Sequence, residues 1–446
     1  MRQRKHNKIN SFICVLLIAC MSMAVAACSQ EEPQEKTKPA DYGSYGLDMA
    51  VEIANTWPNR SPGTAQERET AEFIEAAFAD LGYEPEVNKF TYQTEAGEVY
   101  SSQNIVVNID GQGFEVEAED GSTTSVRRRV IVGAHYDVAI TSEQSEAARL
   151  ENEQTQESTT ESETTQTQDE TGETQTDGSL VTLFTEVELP MPTLAEFDGI
   201  HNNASGIGAL LTLAKELTES QFGYDITLVA FGAANAGFSG SRAYAAEIDA
   251  DDLEMIDVMY NIDGIYAGDK VYAHAGQNSV LGGDKKLYEM RRKLYEATDI
   301  YYENELYTNN RFALYTNQSG IKVSWGDPES QQFAVYREWT QRQSDHTPFD
   351  ELGIPVVFFE SYDYDADSLE EMRESNNPSF AATEGVITAT AFDSYEYLSN
   401  LFAHSETMTA NSKADSIDLL TRRINNVAFI IRGGIAKGIH NAVSEE

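Results

Sequence analysis

A chain of 446 residues, 41% hydrophobic and 10% aromatic, has material for one large domain or two ordinary ones, with a sizeable core. Lys and Arg number 31 against 74 Asp and Glu, a net charge of −43, which repels phosphate and so excludes nucleic acid as a partner. The three cysteines, Cys14, Cys20 and Cys28, all stand near the N-terminus, so the rest of the chain has neither disulfides nor a thiolate nucleophile.

Residues 1–27 read as a lipoprotein signal peptide. Arg2, Arg4, Lys5 and Lys8 give a positive start, Phe12 to about Ala27 is apolar, and Val25-Ala-Ala-Cys28 ends the stretch with small residues before a cysteine. That ending resembles a bacterial lipobox, which makes Cys28 the lipidated first residue of the mature chain. An ordinary cleaved signal or an uncleaved anchor is the alternative. Each buried CH₂ of an acyl chain contributes about 0.8 kcal/mol, so two or three chains on Cys28 anchor stably. The expected location is extracytoplasmic, lipid-anchored to the bacterial cell membrane. Residues 28–41, polar with Pro33 and Pro39, read as a tether.

One folded domain is expected over residues 42–446. Tyr42–Trp57 and Thr64–Leu81 carry apolar residues at helical spacing, parted by Pro62-Gly63. Glu84–Gln93 and Tyr100–Asp110 alternate like strands. Arg127–Val138 holds the unbroken apolar run Val130–Val132, which suits a central strand buried on both faces. Residues 141–178 are almost wholly Glu, Gln, Ser, Thr and Asp, too polar to offset the entropy of ordering them, and read as a disordered acidic insertion. Further on come a helix over Ala204–Leu217, a strand over Asp225–Phe231, a helix over Gly240–Ile248 and a strand over Val258–Asp263. Lys285–Ala297 is helical, Tyr301–Gln332 reads as strands and loops, and Gly353–Ser361 is a buried strand. Helices over Glu384–Ala403 and Ser416–Gly438 close the chain. Strands alternating with helical crossovers predict an α/β fold: a mixed, mainly parallel central sheet flanked by helices on both faces.

Polar clusters stand at four strand ends: His135-Tyr136-Asp137, His201-Asn202-Asn203, Asn261-Ile262-Asp263 and Ser344-Asp345-His346. Open α/β sheets build their sites there. An imidazole two residues from a carboxylate is a common metal-ligand arrangement, the carboxylate orienting the ring. Hydrogen-bonded core pairs are the alternative for any one cluster.

The stretches VIVGAHYDV, DGIHNNASGIGALL, VAFGAANAGFSGS, NIDG and SDHTPFDELGIPVVFF occur in this order. Together they resemble the di-zinc aminopeptidase family of bacterial leucyl aminopeptidases, to which glutamate carboxypeptidase, glutaminyl cyclase and the transferrin receptor ectodomain are related. The resemblance covers about Tyr42 to the C-terminus. It implies two zinc ions held by two histidines, a bridging aspartate, a glutamate and a second aspartate, with a neighbouring glutamate as general base. The metals lower the pKa of a bridging water and polarise the scissile carbonyl.

Carried onto this chain, most of the set is replaced. His135 matches the first histidine, Asp137 the carboxylate behind it and Asp263 the second aspartate. The bridging aspartate falls on Asn202, the base on Asn235 and the glutamate ligand on Ala236. The last histidine falls on Asn376 or Asn377. Asp345 and His346 match residues that line the cleft. Asn202 has the shape of Asp without its charge, Ala236 has no ligand atom, and Asn235 cannot take a proton. His135 and Asp263 alone fall short of the three protein ligands usual for catalytic zinc. His201, three residues after Asp198, is a candidate substitute for a rebuilt single-metal site with His135 and Asp263; a surface or capping imidazole is the plainer reading.

The expectation is a pseudopeptidase, with no metal or at most one weakly bound zinc, that binds a peptide or protein in its cleft. The alternatives are a single-zinc exopeptidase and a structural envelope lipoprotein.

Overall fold

The computed structural model describes residues 38–94, 96–117, 121–139, 189–280, 284–316, 321–325, 332–336, 342–366, 371–407 and 418–439. The chain divides into the units Met1–Lys38 and Pro39–Glu446, and the architecture below is that of the second. The signal peptide with Cys28, most of the tether and the acidic insertion at 141–178 lie outside the described residues.

Two helices open the unit, α1 (Tyr45–Thr56) and α2 (Ala65–Asp80). Thr64 starts α2 as an N-cap whose hydroxyl accepts the Glu67 N–H at 3.2 Å, and the Glu67 carboxylate reaches back to the Gly63 N–H at 2.6 Å. This satisfies two donors that a helix start leaves without partners. Strands β1 (Glu86–Gln93) and β2 (Val99–Ile109) form a hairpin. A separate ribbon follows, β3 (Phe114–Glu117) with β4 (Thr123–Val126), and then β5 (Arg129–His135).

After β5 come α3 (Ser205–Leu217), β6 (Asp225–Phe231), α4 (Ser239–Ala246), α5 (Ala250–Met255), β7 (Ile256–Asp263) and β8 (Lys270–Ala275). The chain continues through α6 (Asp284–Glu303), α7 (Leu306–Asn310), β9 (Leu314–Thr316) and the ribbon β10 (Ile321–Trp325) with β11 (Gln332–Tyr336). It closes with α8 (Thr347–Glu351), β12 (Val356–Tyr362), α9 (Tyr395–Thr407) and α10 (Leu419–Lys437).

The eight-stranded sheet runs β1-β2-β6-β5-β7-β12-β8-β9. Its middle, β6-β5-β7-β12, is parallel, while β1, β2 and β8 pair antiparallel. β5 is the central strand: Val130 and Val132 face a cluster with Ile53, Leu210 and Val427, and Ile131 faces another with Phe231, Phe349 and Phe358. Alternate side chains of a strand point to opposite faces, so the apolar run of the sequence serves two cores. The mixed, mainly parallel sheet with helices on both faces is as expected.

The expected helix over Glu384–Ala403 begins only at Tyr395. Pro378 opens a 3₁₀ turn, Pro378–Thr383, and Glu384 and Ala389 have φ of +56° and +59°. The Ile387 and Thr388 N–H groups donate to the Glu374 carboxylate, which occupies donors a helix would need. β8 went unread because Lys270 and His274 interrupt its apolar pattern; its pairing with β12 buries it.

Candidate functional site

β5, β6 and β7 run parallel and deliver their last residues to one edge of the sheet. His135 ends β5, Asp263 ends β7, and the loop after β6 carries Ala233, Ala234, Asn235 and Ala236. Asn202 lies in the segment Ile200–Ala204 that leads into α3, with an extended backbone (φ −123°, ψ 97°). His135, Asn202 and Asp263 are all buried.

Asp263 is the centre of the cluster. Its Oδ1 accepts the Asn202 amide at 2.7 Å and stands 3.3 Å from His135 Nε2. Its Oδ2 accepts the Ser344 hydroxyl at 2.7 Å, and Ser344 in turn accepts the Asn261 amide. Burial alone raises a carboxyl pKa, yet the His135 and Ser344 hydrogen bonds hold Asp263 well below its ordinary value. The other nitrogen of His135, Nδ1, is 3.1 Å from the Asp137 carbonyl. Both ring nitrogens thus face oxygen acceptors, which suits an imidazolium donating at both ends. Burial opposes that charge, but Asp137 and Asp263 outweigh it and raise the His135 pKa well above its ordinary value.

The loop after β6 is held from below by two carboxylates. Asp137 accepts the N–H groups of Ala234 (2.8 Å) and Asn235 (2.9 Å) and the Asn235 side-chain amide (2.9 Å). Glu67 accepts the Ala233 N–H at 2.9 Å. Ala233 and Phe238 sit at φ of +52° and +59°, a conformation that side chains rarely adopt without outside support. Asn235 is therefore a donor to Asp137, and Ala236 beside it has no polar side-chain atom.

His201 is fully buried, which corrects the reading of it as a surface imidazole. Its Nδ1 accepts the Ala267 N–H at 3.2 Å, and its Nε2 lies 3.5 Å from Glu374 Oε1. Glu374 is held at a pKa of about 2: burial raises it, but His201 and Thr388 outweigh that. The backbone N–H groups of His201 and Asn202 donate to Asp393. Asp198 accepts those of Ile200 and Tyr395. Just before the stretch placed over the family's last histidine, Glu374 lies 3.5 Å from His201 in the Asn202 loop. The exposed Asn376 binds Asp269 and Asp363, and Asn377 caps the turn after Pro378.

Asp345 is fully buried, and burial pushes its carboxyl up to about 7. His346 packs on the Phe358 ring at 4.4 Å, and burial lowers its pKa to about 4.

Residues that the sequence reading passed over hold this frame. Arg60, wholly buried, donates to the carbonyls of Tyr136, Asp198 and Gly199 and so ties the chain after His135 to the chain before His201. Glu67, Glu374 and Asp393 act in the same way from a helix start and from loops. A carboxylate three residues after Thr64 was the one visible signal, as half of a helix cap.

The resemblance implies two zinc ions at this place, and the donor set does not fit them. Both nitrogens of His135 face protein oxygens, Asn202 turns its NH₂ toward Asp263, Asn235 turns its own toward Asp137, and Ala236 has no donor atom. Zinc needs unprotonated nitrogen, carboxylate or thiolate. Among the described residues, no group of three or more His, Cys, Asp and Glu side chains is arranged to hold a metal.

Residues 116–391 match the model of Peptidase family M28. The alkaline phosphatase isozyme conversion protein of Escherichia coli is 22% identical over 349 residues, 77% of this chain and 79% of that protein. A glutaminyl cyclase from an Acidobacteriales bacterium superposes with a TM-score of 0.51 at 16% identity, covering 92% of this chain and all of the other. A zinc aminopeptidase from Bacillus subtilis superposes with a TM-score of 0.50 at 13% identity, covering 90% of this chain and 97% of the other. At such identities the structural likeness is one of fold.

Proposed function

The chain belongs to peptidase family M28, and from that premise we propose that it keeps the peptidase fold and cleft without zinc-dependent hydrolysis, and binds a peptide or protein there. The observation that carries this reading is the Asn202 amide donating to Asp263 at 2.7 Å. Where a bridging carboxylate and a cation would meet Asp263, an N–H supplies the positive end, and His135 supplies another. The carboxylate is thereby satisfied without metal. Asn235, at the position of the general base, has no proton-accepting nitrogen or carboxylate.

A single-zinc exopeptidase built on His135, His201 and Asp263 has less support. His201 has its Nδ1 engaged by the Ala267 N–H, and its Nε2 faces Glu374 Oε1 at 3.5 Å, away from the Asp263 cluster's hydrogen bonds. A structural envelope lipoprotein with an idle cleft draws on no feature of the cluster. The lipobox-like ending at Cys28 supports placing the protein outside the cytoplasm, on the membrane.

The test is made on purified protein loaded with zinc and desalted. The expected result is at most a weakly held, substoichiometric zinc, and hydrolysis of leucine p-nitroanilide no faster than that of the His135→Ala variant. Zinc-dependent hydrolysis that His135→Ala abolishes would falsify the reading. Cell fractionation checks the anchor: Cys28→Ser is expected to move the protein out of the membrane pellet, and its retention there would count against lipidation.

A further inference from the structure

Glu67, which supports the loop after β6 from one side, forms part of a second concavity on its other side. There α2 and the β1–β2 hairpin enclose a groove of about 860 Å³, within the range that takes up ligands and short peptide segments. Its floor is one face of the hairpin, where Val87 stands opposite Ile105, Lys89 opposite Gln103 and Thr91 opposite Ser101. A helix lying on a sheet ordinarily packs large apolar side chains into this layer. Here Thr91, Ser101 and Ala71 are small, and the space stays open. None of the residues at the zinc-ligand positions lines the groove.

Three properties describe what would fill it. Three of its lining residues are exposed and apolar: Val87, Val99 and Tyr100 are 37%, 68% and 39% exposed. β1 is the outermost strand, so one of its edges offers backbone groups to an extended chain. The groove's charged lining is Glu67, Glu72 and Glu75 against Lys89 and Arg68, with Glu67 innermost. Glu67, 1% exposed, is bonded there only by neutral donors: the Ser102 hydroxyl and the Ala233 N–H at Oε1, and the Gly63 N–H at Oε2. Glu72 and Glu75 add two carboxylates from the same helix, and Arg68 lies 3.8 Å from Glu72. A buried carboxylate without a cation is costly, and a charge-assisted hydrogen bond relieves that cost.

We propose that this groove binds an extended peptide segment of a partner protein that carries basic side chains, with one ammonium or guanidinium group on Glu67. The −43 charge of the chain favours the approach of such a partner. Burial and the Asp137 charge push Glu67 up to about 7, and a cation in the groove would bring it down again. Because Glu67 also holds the Ala233 N–H, occupancy of the groove is felt by the loop that carries Asn235.

The probe is a fluorescein-labelled peptide of alternating Lys and Val, followed by anisotropy at about 0.15 M salt on the purified protein. Expected are saturable binding, a loss of about tenfold in affinity in Thr91→Trp and in Ser101→Trp, a comparable loss in Glu67→Gln, and no change in His135→Ala. Both tryptophans replace exposed strand residues and fill the groove without altering charge. Unchanged affinity in both tryptophan variants would mean that the peptide sits elsewhere on the acidic surface, and would overturn the proposal, as would absence of binding. Loss of binding in His135→Ala alone would place the peptide in the cleft, which removes the groove site and leaves the reading of the cleft standing. Displacement by spermine as effective as by unlabelled peptide would replace the peptide site with one for amines.

Discussion

Asp263 accepts hydrogen bonds from Asn202 and Ser344 and lies 3.3 Å from a ring nitrogen of His135, and the identity of one of these residues decides the chemistry of the cluster. Asn202→Asp would set two buried carboxylates at the contact that now joins an amide to a carboxylate. The His135 charge is already shared with Asp137 and Asp263, so without a metal ion one of the two carboxylates in contact must be protonated or the fold loses about 2–4 kcal/mol. The expected outcome is a lower melting temperature for the metal-free variant and a larger rise on adding zinc than the parent shows. Equal responses to zinc in both proteins would mean that the Asn202 amide is not what disfavours the metal. At this scale the sequence was partly readable. His135, Asn202 and Asp263 stand at strand ends or at a helix start, and motif order located them. Arg60, Glu374 and Asp393 sit in turns and loops with no periodicity. Their partners are backbone groups far along the chain, which local pattern does not reveal.

Among the described helices, α3 is the most deeply placed. Nearly every residue of it is buried, between the sheet and the pair α1 and α10. α1 approaches it through glycines. A Cβ on Gly208 would lie 2.5 Å from the Gly46 carbonyl oxygen, and one on Gly46 would lie 2.6 Å from the Gly208 carbonyl oxygen. Backbone at such distances cannot swing aside as a side chain can. Gly208→Ala is therefore expected to destabilise by about 1–3 kcal/mol, although alanine is the better helix former by about 1 kcal/mol. Urea unfolding measures it, and a midpoint at or above that of the parent would show that the two helices separate without strain. Glycine in an apolar helical pattern is visible in the sequence; the helix it lies against is not. The same limit explains the misplaced start of α9. The segment Glu384–Ser394 carries residues compatible with a helix, but Glu374 takes its Ile387 and Thr388 N–H groups from outside.

The whole molecule stores many carboxyls away from water. Glu67 and Asp393 are raised to about 7 and Asp198 to about 6, each chiefly by burial, from ordinary values of 4.5 for Glu and 3.8 for Asp. A raised carboxyl keeps its proton in the folded state after the unfolded chain has released it. The folded state then binds more protons, and stability falls as pH rises from about 4 to about 7. Glu374, lowered to about 2, acts in the opposite sense: its contribution is present above about 4.5 and is lost as pH falls toward 2. Stability against urea is expected to be greatest near pH 5 and to decline toward pH 7.5. Glu67→Gln should remove about 2 kcal/mol of that decline. A flat profile, or a decline that Glu67→Gln leaves intact, would contradict the assignment of buried charge.

The sequence by itself determined the class of the fold and the place of the cluster. Apolar runs such as Val130–Val132 and strand-end polar residues such as His135 and Asp263 are consequences of short-range pattern, and pattern is what a sequence displays. Through the family resemblance it also suggested which side chains would fall on the zinc-ligand positions, and an alanine such as Ala236 cannot ligate in any conformation. Only the tertiary structure decided where the remaining donors point. That Asn202 gives its N–H to Asp263, that His201 turns to Glu374, and that two carboxylates brace the Asn235 loop are matters of orientation. Orientation is set by partners 61 to 173 residues away in the chain, which come together only when the sheet has formed.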